Sequence, residues 1–393
     1  MNIALVEICV PSHYMVTHAL IKTYCILPNA KITVYTTPEI YQNLKENEKI
    51  NNVKFVVKDN EESVLSFLEK IKKSDPHRIH YCTISKYYKE FIQTFPDKDV
   101  LIFFHFHNID YWFESIIKSQ IKLLINTIKN NHKISNIYNQ LVWCVKEIYR
   151  DPLRKKVIKK VIKLNSYYIA LGDTQKNILS KHINKDRIII FPSLIYENTN
   201  LPEITIQEKL RICIPGSVSA GKRDYFGFFE LIDANFEFFK QHITIDLLGF
   251  FQEGEVKLLS QVQVFEKRGL EILYYKNFIS PEVYDENLYK SDIILSNIAV
   301  ILSEDGKGQI KETAAVYNMI RGAKPGLFPS EFILDSEFKD SVIFYDNYPD
   351  LYTKLNELIL EPKKMITFKQ NAIILSKQYS ALNLLPRLMQ LSN

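Results

Sequence analysis

The sequence predicts an α/β protein with two parallel sheets, each covered by helices on both faces. Short apolar segments, many of them β-branched, alternate with segments of helical periodicity along most of the chain. The alternation stops at a polar stretch, 196–203, and restarts after it, which indicates two domains joined by a linker. A chain of 393 residues is long enough for two domains with separate cores. We therefore expect two Rossmann-like domains that face each other across a cleft, at the carboxyl ends of their strands.

The predicted domains are residues 1–195 and 205–365, followed by a last helical segment, 366–393, that crosses back to the first domain. In the first domain the predicted strands are 2–8, 31–36, 53–57, 79–83, 99–104, 166–171 and 187–191, and the helices are 13–27, 38–47, 61–73 and 87–95. In the second, the strands are 210–215, 243–248, 271–275, 292–296, 324–328 and 341–345, and the helices are 224–239, 254–267, 281–290, 310–321, 347–360 and 365–390.

A basic helical insertion, about 110–164, interrupts the first domain, and Pro152 is expected to open its last piece. Between Lys118 and Lys163 it carries twelve Lys and Arg residues against two acidic ones, although the whole chain has a net charge of only +5. Apolar residues alternate with lysines at 116–128 and 153–163, a composition typical of a helix on an anionic membrane surface. Packing of the same helices on their own domain stays open. No RNA- or DNA-reading motif accompanies the charge, so nucleic acid is not expected as a partner.

The cysteines and the apolar runs indicate the compartment. The five cysteines are scattered within apolar segments without CxxC spacing, so neither a disulfide framework nor a zinc site is predicted. The chain begins with a strand-like run rather than a signal peptide, and no apolar run is long enough to span a bilayer. We expect a cytoplasmic protein that binds peripherally at the inner face of the cell membrane.

The most informative segment is the loop after the first strand of the second domain. Gly216 and Ser217 open a small-residue loop, and Lys222 and Arg223 precede the next helix. A strand, a glycine turn and a helix N-terminus together present backbone N–H groups to an anion, and the two cations add positive charge. An ordinary turn between strand and helix is the alternative interpretation.

Further candidates lie at the same predicted edge of the second domain. Gly249 ends the next strand, where a bound group can approach the backbone closely. Glu304 and Gly308 lie in a later loop, and the helix that follows carries Glu312 and Thr313 in its first turn. Acidic and hydroxyl side chains at that position either cap the helix or bind sugar hydroxyls.

Histidines mark the corresponding edge of the first domain. His105, His107 and Asn108 lie at the carboxyl end of the strand predicted at 99–104, and the two histidines stand at alternate positions, which would share a face. His13 follows the first strand at an equivalent place. We interpret all four as residues that line the cleft. The sequence contains no HExxH, Walker, GxSxG or complete GxGxxG motif, which argues against the simplest hydrolase, P-loop and dinucleotide-binding classes.

Taken in order, these segments resemble the GT-B glycosyltransferases of the group 1 (family-4-like) class. Residues 214–225 resemble the family's loop for the donor diphosphate, 247–249 its next strand end, and 288–295 its helix–aspartate–strand signature. Residues 312–325 resemble its sugar-binding helix followed by Gly-x-Pro, and the histidines of 104–108 resemble its strand-end histidine beside the donor sugar. The resemblance spans most of the chain.

The sequence departs from the family pattern at two places. Ser217 stands where the family usually has an arginine after the glycine. The family's two glutamates match Glu304 and Glu312 by spacing, whereas alignment on the downstream Gly-x-Pro places Ile310 and Asn318 there instead.

The resemblance implies transfer of a sugar from a nucleotide-diphosphate donor to a glycan or lipid-linked glycan, with retention of configuration, in cell-surface polysaccharide biosynthesis. Lys222, Arg223 and the helix dipole would stabilise the leaving diphosphate, so neither a metal nor a cofactor is expected. His105 or His107 would position groups at the anomeric centre, and Glu312 would contact the donor sugar. A sugar-nucleotide epimerase on the same plan and a catalytically silent scaffold of a membrane glycan assembly stay open as alternatives.

Overall fold

The structure, a computed structural model, describes residues 1–96, 99–113, 125, 134–197, 208–221, 223–300, 309 and 313–389. The chain divides into two units, Met1–Phe191 and Pro192–Asn393. Most of the predicted linker at 196–203 lies outside the described residues. The crossing of the last helix to the first domain stays a prediction.

The described strands of the first unit form one parallel sheet. They are β1 (Asn2–Glu7), β2 (Lys31–Thr36), β3 (Val53–Val57), β4 (Arg78–Tyr81), β5 (Leu101–His105), β6 (Ser166–Ala170) and β7 (Ile188–Ile190). Their order in the sheet is β3-β2-β1-β4-β5-β6-β7. The order therefore reverses between β1 and β4, and open α/β sheets bind ligands at the carboxyl ends of the strands beside such a reversal.

Helices cover this sheet. They are α1 (Tyr14–Tyr24), α2 (Pro38–Leu44), α3 (Val64–Lys73), α4 (Tyr88–Thr94), α5 (Asp110–Phe113), α6 (Ile134–Ile162) and α7 (Asp173–Leu179). Strand residues Ile79, Ile102 and Phe104 pack with Phe67 of α3 and Phe91 of α4 in one buried core.

Helix α6 corrects the prediction at Pro152. The sequence predicts that this proline opens a new helix, but α6 runs through it without a break over 29 residues. A proline inside a helix removes one backbone hydrogen bond. Here the buried guanidinium of Arg154 pairs with Glu147 at 2.7 Å and with Asp151 at 2.9 Å. Because these ion pairs join the turns on both sides of the proline, they help the helix continue.

The C-terminal part of α6 packs on its own unit. Val157, Ile158 and Val161 are buried in the core of the first unit, so these side chains are not available to a lipid surface. Within the predicted interfacial segment 153–163, packing on the domain therefore accounts for these three apolar residues, whereas Ile162 is 49% exposed. The other predicted segment, 116–128, lies outside the described residues except for Ile125.

The described strands of the second unit also form one parallel sheet. They are β8 (Leu210–Pro215), β9 (Ile243–Phe250), β10 (Ile272–Tyr275), β11 (Ile293–Leu295), β12 (Gly326–Pro329) and β13 (Val342–Tyr345). Their order is β10-β9-β8-β11-β12-β13, so the reversal lies between β8 and β11. The helices are α8 (Tyr225–Ala234), α9 (Phe236–His242), α10 (Val256–Lys267), α11 (Pro281–Lys290), α12 (Ala314–Gly322), α13 (Tyr348–Leu360), α14 (Pro362–Gln378) and α15 (Ala381–Met389).

Two helices that the sequence predicts as continuous are each divided. The helix predicted at 224–239 ends before Asn235, whose side chain donates to the carbonyl of Leu231 at 3.1 Å and so competes with the backbone ladder. The helix predicted at 365–390 is interrupted at Tyr379, whose carbonyl accepts a hydrogen bond from the N–H of Tyr196 at 3.1 Å. In a continuous helix the N–H of Asn383 would bond this carbonyl, whereas here it bonds the carbonyl of Ser380.

The two parallel sheets and the helices between their strands confirm the predicted α/β class. No described helix combines the length and the apolar character that crossing a bilayer requires.

Candidate functional site

In the second unit, the loop after β8 is held by its own arginine. Gly216 has a φ of +95°, a left-handed conformation that favours glycine. The guanidinium of Arg223, which is 8% exposed, donates to the carbonyls of Pro215 at 2.5 Å and Ser217 at 3.1 Å. The predicted diphosphate cation Arg223 therefore also stabilises the loop itself. Lys222, the other predicted cation, lies outside the described residues.

The segment after β9 holds the other side of this loop. The Gln252 side chain donates to the hydroxyl of Ser217 at 3.3 Å, and the N–H of Ala220 donates to the Glu255 carboxylate at 2.9 Å. These bonds and those of Arg223 hold the described residues of the loop in place.

Gly249, the next-to-last residue of β9, lies directly against the same loop. A Cβ atom at this position would collide with the backbone carbonyl of Gly216 and the backbone nitrogen of Ser217. The close approach of the two segments therefore depends on glycine at position 249.

The N-terminus of helix α12 adjoins this loop. The Cβ of Ala314, the first residue of α12, lies 3.8 Å from the place a Cβ on Gly216 would occupy. Thr313 is buried and caps the helix, because its hydroxyl accepts from the N–H of Ala315 at 3.3 Å. The positive end of the helix dipole therefore stands beside Gly216 and the Arg223 guanidinium.

The sequence predicts ligand-binding residues just before α12 and in its first turn. Glu304, Gly308 and Glu312 lie outside the described residues. Asn318, the alternative match to the second family glutamate, is buried; its side chain accepts from the Tyr284 hydroxyl at 3.0 Å and donates to the carbonyl of Ala314 at 2.7 Å. Asn318 therefore stabilises α12.

Sequence reasoning missed Asn297, which follows β11. It is 2% exposed, and neither its amide nitrogen nor its amide oxygen has a hydrogen-bond partner among the described residues. Its backbone carbonyl accepts from the N–H of Asp224 at 3.0 Å, which fixes it beside the loop after β8. A buried amide without partners is costly and is an expected feature of a ligand site. An asparagine after an apolar strand is common, so the sequence around Asn297 gives little indication of a ligand site.

In the first unit, the predicted catalytic residue His105 lies in the interior. It is 2% exposed, and its Nε2 lies 3.1 Å from Nδ1 of His80, whose Nε2 lies 2.8 Å from the Tyr24 hydroxyl. Nδ1 of His105 has no hydrogen-bond partner among the described residues. Burial holds the pKa values of His80 and His105 well below the usual range. A neighbouring histidine, His105 for His80 and His107 for His105, lowers each pKa further by a smaller amount, so both rings are neutral.

His107 and His13 form a second pair at the strand ends. Strand β5 ends at His105, so the alternation of faces does not continue to His107, which contacts different partners. Its Nε2 lies 2.8 Å from the carbonyl of Cys82, and its ring packs against that of His13 at a tilt of 34°, with centroids 4.2 Å apart. Nδ1 of His13 lies 2.9 Å from the Thr83 hydroxyl. Asn108 is half-buried after His107.

Glu7, the last residue of β1, is the second residue that sequence reasoning missed. It is fully buried, and its Oε1 accepts the backbone N–H groups of Cys9 at 3.0 Å and Val10 at 3.1 Å. Its Oε2 has no hydrogen bond of normal geometry from the described residues, although the Thr83 hydroxyl lies close enough to lower the pKa in part. Burial outweighs these contacts and raises the pKa of Glu7 to about 7. An acidic residue inside an apolar strand is the signal that the sequence offered.

Comparisons with known proteins identify the fold. No family model matches the sequence, and no curated protein matches it. The structure is similar to that of Anabaena Alr3699/HepE in complex with UDP, with a TM-score of 0.63, 10% identity and coverage of 99% of both chains. It is also similar to UDP-GlcNAc 2-epimerase from Neisseria meningitidis bound to UDP-GlcNAc (TM-score 0.55, 11% identity, 100% of this chain and 99% of that one). Sucrose-phosphate synthase from Thermosynechococcus elongatus gives a TM-score of 0.53 at 10% identity, covering 99% of this chain and 97% of that one. At these identities the likeness shows the fold, which is GT-B, as the resemblance in the sequence implies.

Proposed function

We propose that this protein is a glycosyltransferase that moves a sugar from a nucleotide-diphosphate donor to an acceptor hydroxyl. The observation that carries the proposal is the arrangement at the carboxyl edge of the second sheet. There the loop at Gly216, the N-terminus of α12 and the unpartnered amide of Asn297 lie beside the reversal in strand order. The helix end and the guanidinium favour an anion, and the amide can bind sugar or ribose hydroxyls. Two proteins of the same fold were solved with UDP and with UDP-GlcNAc, which supports a nucleotide sugar as the ligand.

The same arrangement supplies the electrostatics that the reaction needs. Negative charge develops on the diphosphate as the bond to the sugar breaks, and a preformed positive environment stabilises it more in the transition state than in the ground state. The α12 dipole and Arg223 provide fixed positive potential, and Lys222 would add to it. We expect these groups to serve in place of a metal ion.

In the first unit, we assign His107 and His13 rather than His105 to the substrate. His105 is buried against His80, whereas His107 and His13 are half-buried at the ends of the strands. Burial also lowers the pKa values of His107 and His13, the latter to about 3, so both rings are neutral and can exchange hydrogen bonds with sugar hydroxyls. Retention of configuration is expected from the resemblance alone.

An epimerase is the second candidate, favoured by one specific observation. The sequence provides no convincing acid–base set for proton transfer on a sugar nucleotide, but Glu7 supplies a buried carboxyl whose pKa is raised to about 7 by burial. A structural neighbour is itself a UDP-GlcNAc 2-epimerase.

One experiment separates the candidates. The full chain is incubated with UDP-, GDP- and ADP-linked sugars, with and without glycan acceptors, and free nucleoside diphosphate and epimerised donor are both measured. A transferase releases nucleoside diphosphate only when an acceptor is present. Epimerised donor without an acceptor would establish the second candidate instead. Binding without either product would leave a silent scaffold and contradict the transferase.

We further propose a lipid-linked glycan acceptor, cell-surface polysaccharide biosynthesis, and docking of α6 on the cytoplasmic face of an anionic membrane. Support for docking comes from four large side chains on α6 that are about half exposed or more, namely Leu141, Val145, Ile148 and Tyr149. Their spacing places them on one side of the helix, and the exposed Lys146, Lys156 and Lys159 add positive charge.

Co-sedimentation tests the docking. The wild-type chain should pellet with vesicles of phosphatidylglycerol and phosphatidylcholine, and high salt should release it. The double variant Val145→Ser/Ile148→Ser should bind the vesicles at least about tenfold more weakly. Each apolar side chain buried in the lipid surface contributes roughly 1 kcal/mol or more. The matched control Val256→Ser/Val264→Ser, on exposed positions of α10, should bind like wild type. Equal loss in both variants, or no binding at any salt concentration, would contradict α6 as the docking helix.

A further inference from the structure

The Thr83 hydroxyl connects three titratable side chains in the first unit. It lies 2.9 Å from Nδ1 of His13, 3.4 Å from Nε2 of His107 and beside the Glu7 carboxyl. Both Glu7 and Thr83 are buried, and Oε2 of Glu7 has no hydrogen bond of normal geometry from the described residues. The interactions of Glu7, Thr83 and His13 therefore form a short chain from the interior to a half-buried imidazole.

The proton on His107 is fixed by its partner. A carbonyl oxygen can only accept, so Nε2 of His107 must carry the hydrogen that it shares with the Cys82 carbonyl at 2.8 Å. The same N–H can make only a weak additional contact with Thr83 at 3.4 Å. His107 therefore does not accept a hydrogen bond from the Thr83 hydroxyl.

The Thr83 hydroxyl can donate its one hydrogen either toward Glu7 or toward His13. A hydroxyl donates one hydrogen bond and accepts up to two. If Glu7 is ionised, the Thr83 hydroxyl points its hydrogen toward the Glu7 carboxylate and accepts from Nδ1–H of His13, which leaves Nε2 of His13 without a proton. If Glu7 is protonated, it donates to Thr83, and Thr83 donates to Nδ1 of His13, so the proton resides on Nε2. Because Nδ1 is the nitrogen of His13 that contacts Thr83, this choice sets whether Nε2 donates or accepts.

We infer that Glu7, acting through the Thr83 hydroxyl, is a positioning residue that decides which ring nitrogen of His13 carries the proton. With Glu7 ionised, Nε2 of His13 is a hydrogen-bond acceptor able to take the proton of an attacking hydroxyl. With Glu7 protonated, Nε2 is a donor. The role of this choice in turnover rests on the proposed function, but the choice itself does not.

The surrounding groups leave Glu7 as the one that titrates near neutrality in this cluster. The Cys9 thiol faces Glu7 from the loop after β1 and the Cys82 thiol from the end of β4, and burial raises the pKa values of both, that of Cys9 to about 11. His107 faces His13 and helps to lower its pKa to about 3, after the larger effect of burial. Burial raises the pKa of Glu7 itself to about 7. Both forms of Glu7 are therefore populated near neutral pH.

The test uses the full chain with ¹⁵N-labelled histidine, and NMR reports which nitrogen of His13 is protonated on either side of pH 7. The His13 signals are assigned by their loss in His13→Gln. In wild type the proton should move from Nε2 to Nδ1 as pH rises through the pKa of Glu7. In Glu7→Gln the side-chain amide should replace the protonated carboxyl, with its carbonyl facing the N–H groups of Cys9 and Val10. Its NH₂ would then donate to Thr83, and His13 should stay protonated at Nε2 at every pH.

Two further variants keep the inference testable if Glu7→Gln does not fold. Thr83→Ser retains the hydroxyl and should keep the pH-dependent exchange, whereas Thr83→Val should abolish it. Thr94→Val is the matched control, because Thr94 is also buried in this unit and its hydroxyl bonds only a backbone carbonyl among the described residues. A His13 tautomer that ignores pH in wild type, or that still switches in Thr83→Val, would overturn the inference. If the tautomer switches but no nucleotide sugar is turned over, the proposed function fails and the positioning role stands.

Discussion

Asn297 makes a prediction at the scale of a single residue. Its buried amide has no partner among the described residues, so removing it should cost the unliganded protein little. We expect Asn297→Leu to melt within a few degrees of wild type but to bind UDP about fivefold more weakly, because a lost ligand hydrogen bond is worth about 1 kcal/mol. Asn318→Leu is the control: it removes an amide whose oxygen and nitrogen are both hydrogen-bonded, and it should lower the free energy of unfolding by about 1–3 kcal/mol. Calorimetry on both variants measures the two effects. Unchanged UDP affinity in Asn297→Leu would contradict a ligand role.

Arg223 makes a second residue-scale prediction, which separates charge from geometry. Its guanidinium donates to two backbone carbonyls of the loop, and a lysine ammonium retains the charge without the forked donor arrangement. Arg223→Lys should therefore weaken UDP binding nearly as much as Arg223→Ala does. Titration of both variants with UDP tests this. If Arg223→Lys binds UDP like wild type, the charge alone is sufficient and the two hydrogen bonds from the guanidinium to the loop are not required.

At the scale of secondary-structure elements, the amino end of the second sheet is held by charges that make no contact with the candidate site. Asp292, at the start of β11, accepts the backbone N–H of Arg211 at 2.8 Å and the ammonium of Lys369 in α14 at 2.5 Å. Arg211 also pairs with the carboxylate of Asp246 at 2.6 Å. Asp292, Asp246 and Lys369 are buried, and the Arg211 side chain is largely buried. The aspartate in the predicted helix–aspartate–strand signature therefore joins β8, β11 and α14.

This network predicts a large effect of Lys369. Breaking a buried ion pair leaves an uncompensated charge, so Lys369→Met should lower the free energy of unfolding by about 3–5 kcal/mol. Lys363→Met, on an exposed position of the same helix, should change it by less than about 0.5 kcal/mol. Denaturant unfolding measures both. Equal stability of the two variants would show that Asp292 does not need its lysine.

The elements also show what sequence patterning can and cannot predict. Apolar runs and their alternation with helices predicted every described strand to within about two residues. The helix breaks at Asn235 and Tyr379 escaped prediction, because they depend on one local side-chain bond and on pairing with Tyr196, far away in the sequence. Gly216 and Gly249 were recognised as candidates from their loops. Asn297 and Glu7 were not, because what distinguishes them is burial without full hydrogen bonding, and only the folded structure reveals that.

At the scale of the whole molecule, the two units repeat one plan. In each, the strand order reverses beside the first strand of the sheet, and a buried polar group without a full set of partners lies at the carboxyl side of that reversal. In the first unit this is Glu7, and in the second it is Asn297. The amino edge of the second sheet, by contrast, is tied by the ion pairs of Asp292 and Arg211. The second unit therefore separates an edge suited to binding from elements that maintain the fold.

The central claim is that the carboxyl edge of the second sheet binds a nucleoside diphosphate, and titration calorimetry with UDP, GDP and ADP tests it most directly. The wild-type chain should bind at least one of the three. Gly249→Ala should abolish that binding, because its methyl group displaces the loop at Gly216. Gly326→Ala is the matched control: its methyl group collides with the side chains of Met319 and Phe328 at the opposite end of the strands, so it should cost stability and retain binding. Binding in Gly249→Ala equal to that of wild type, or no binding of any nucleoside diphosphate to the wild-type chain, would contradict the claim.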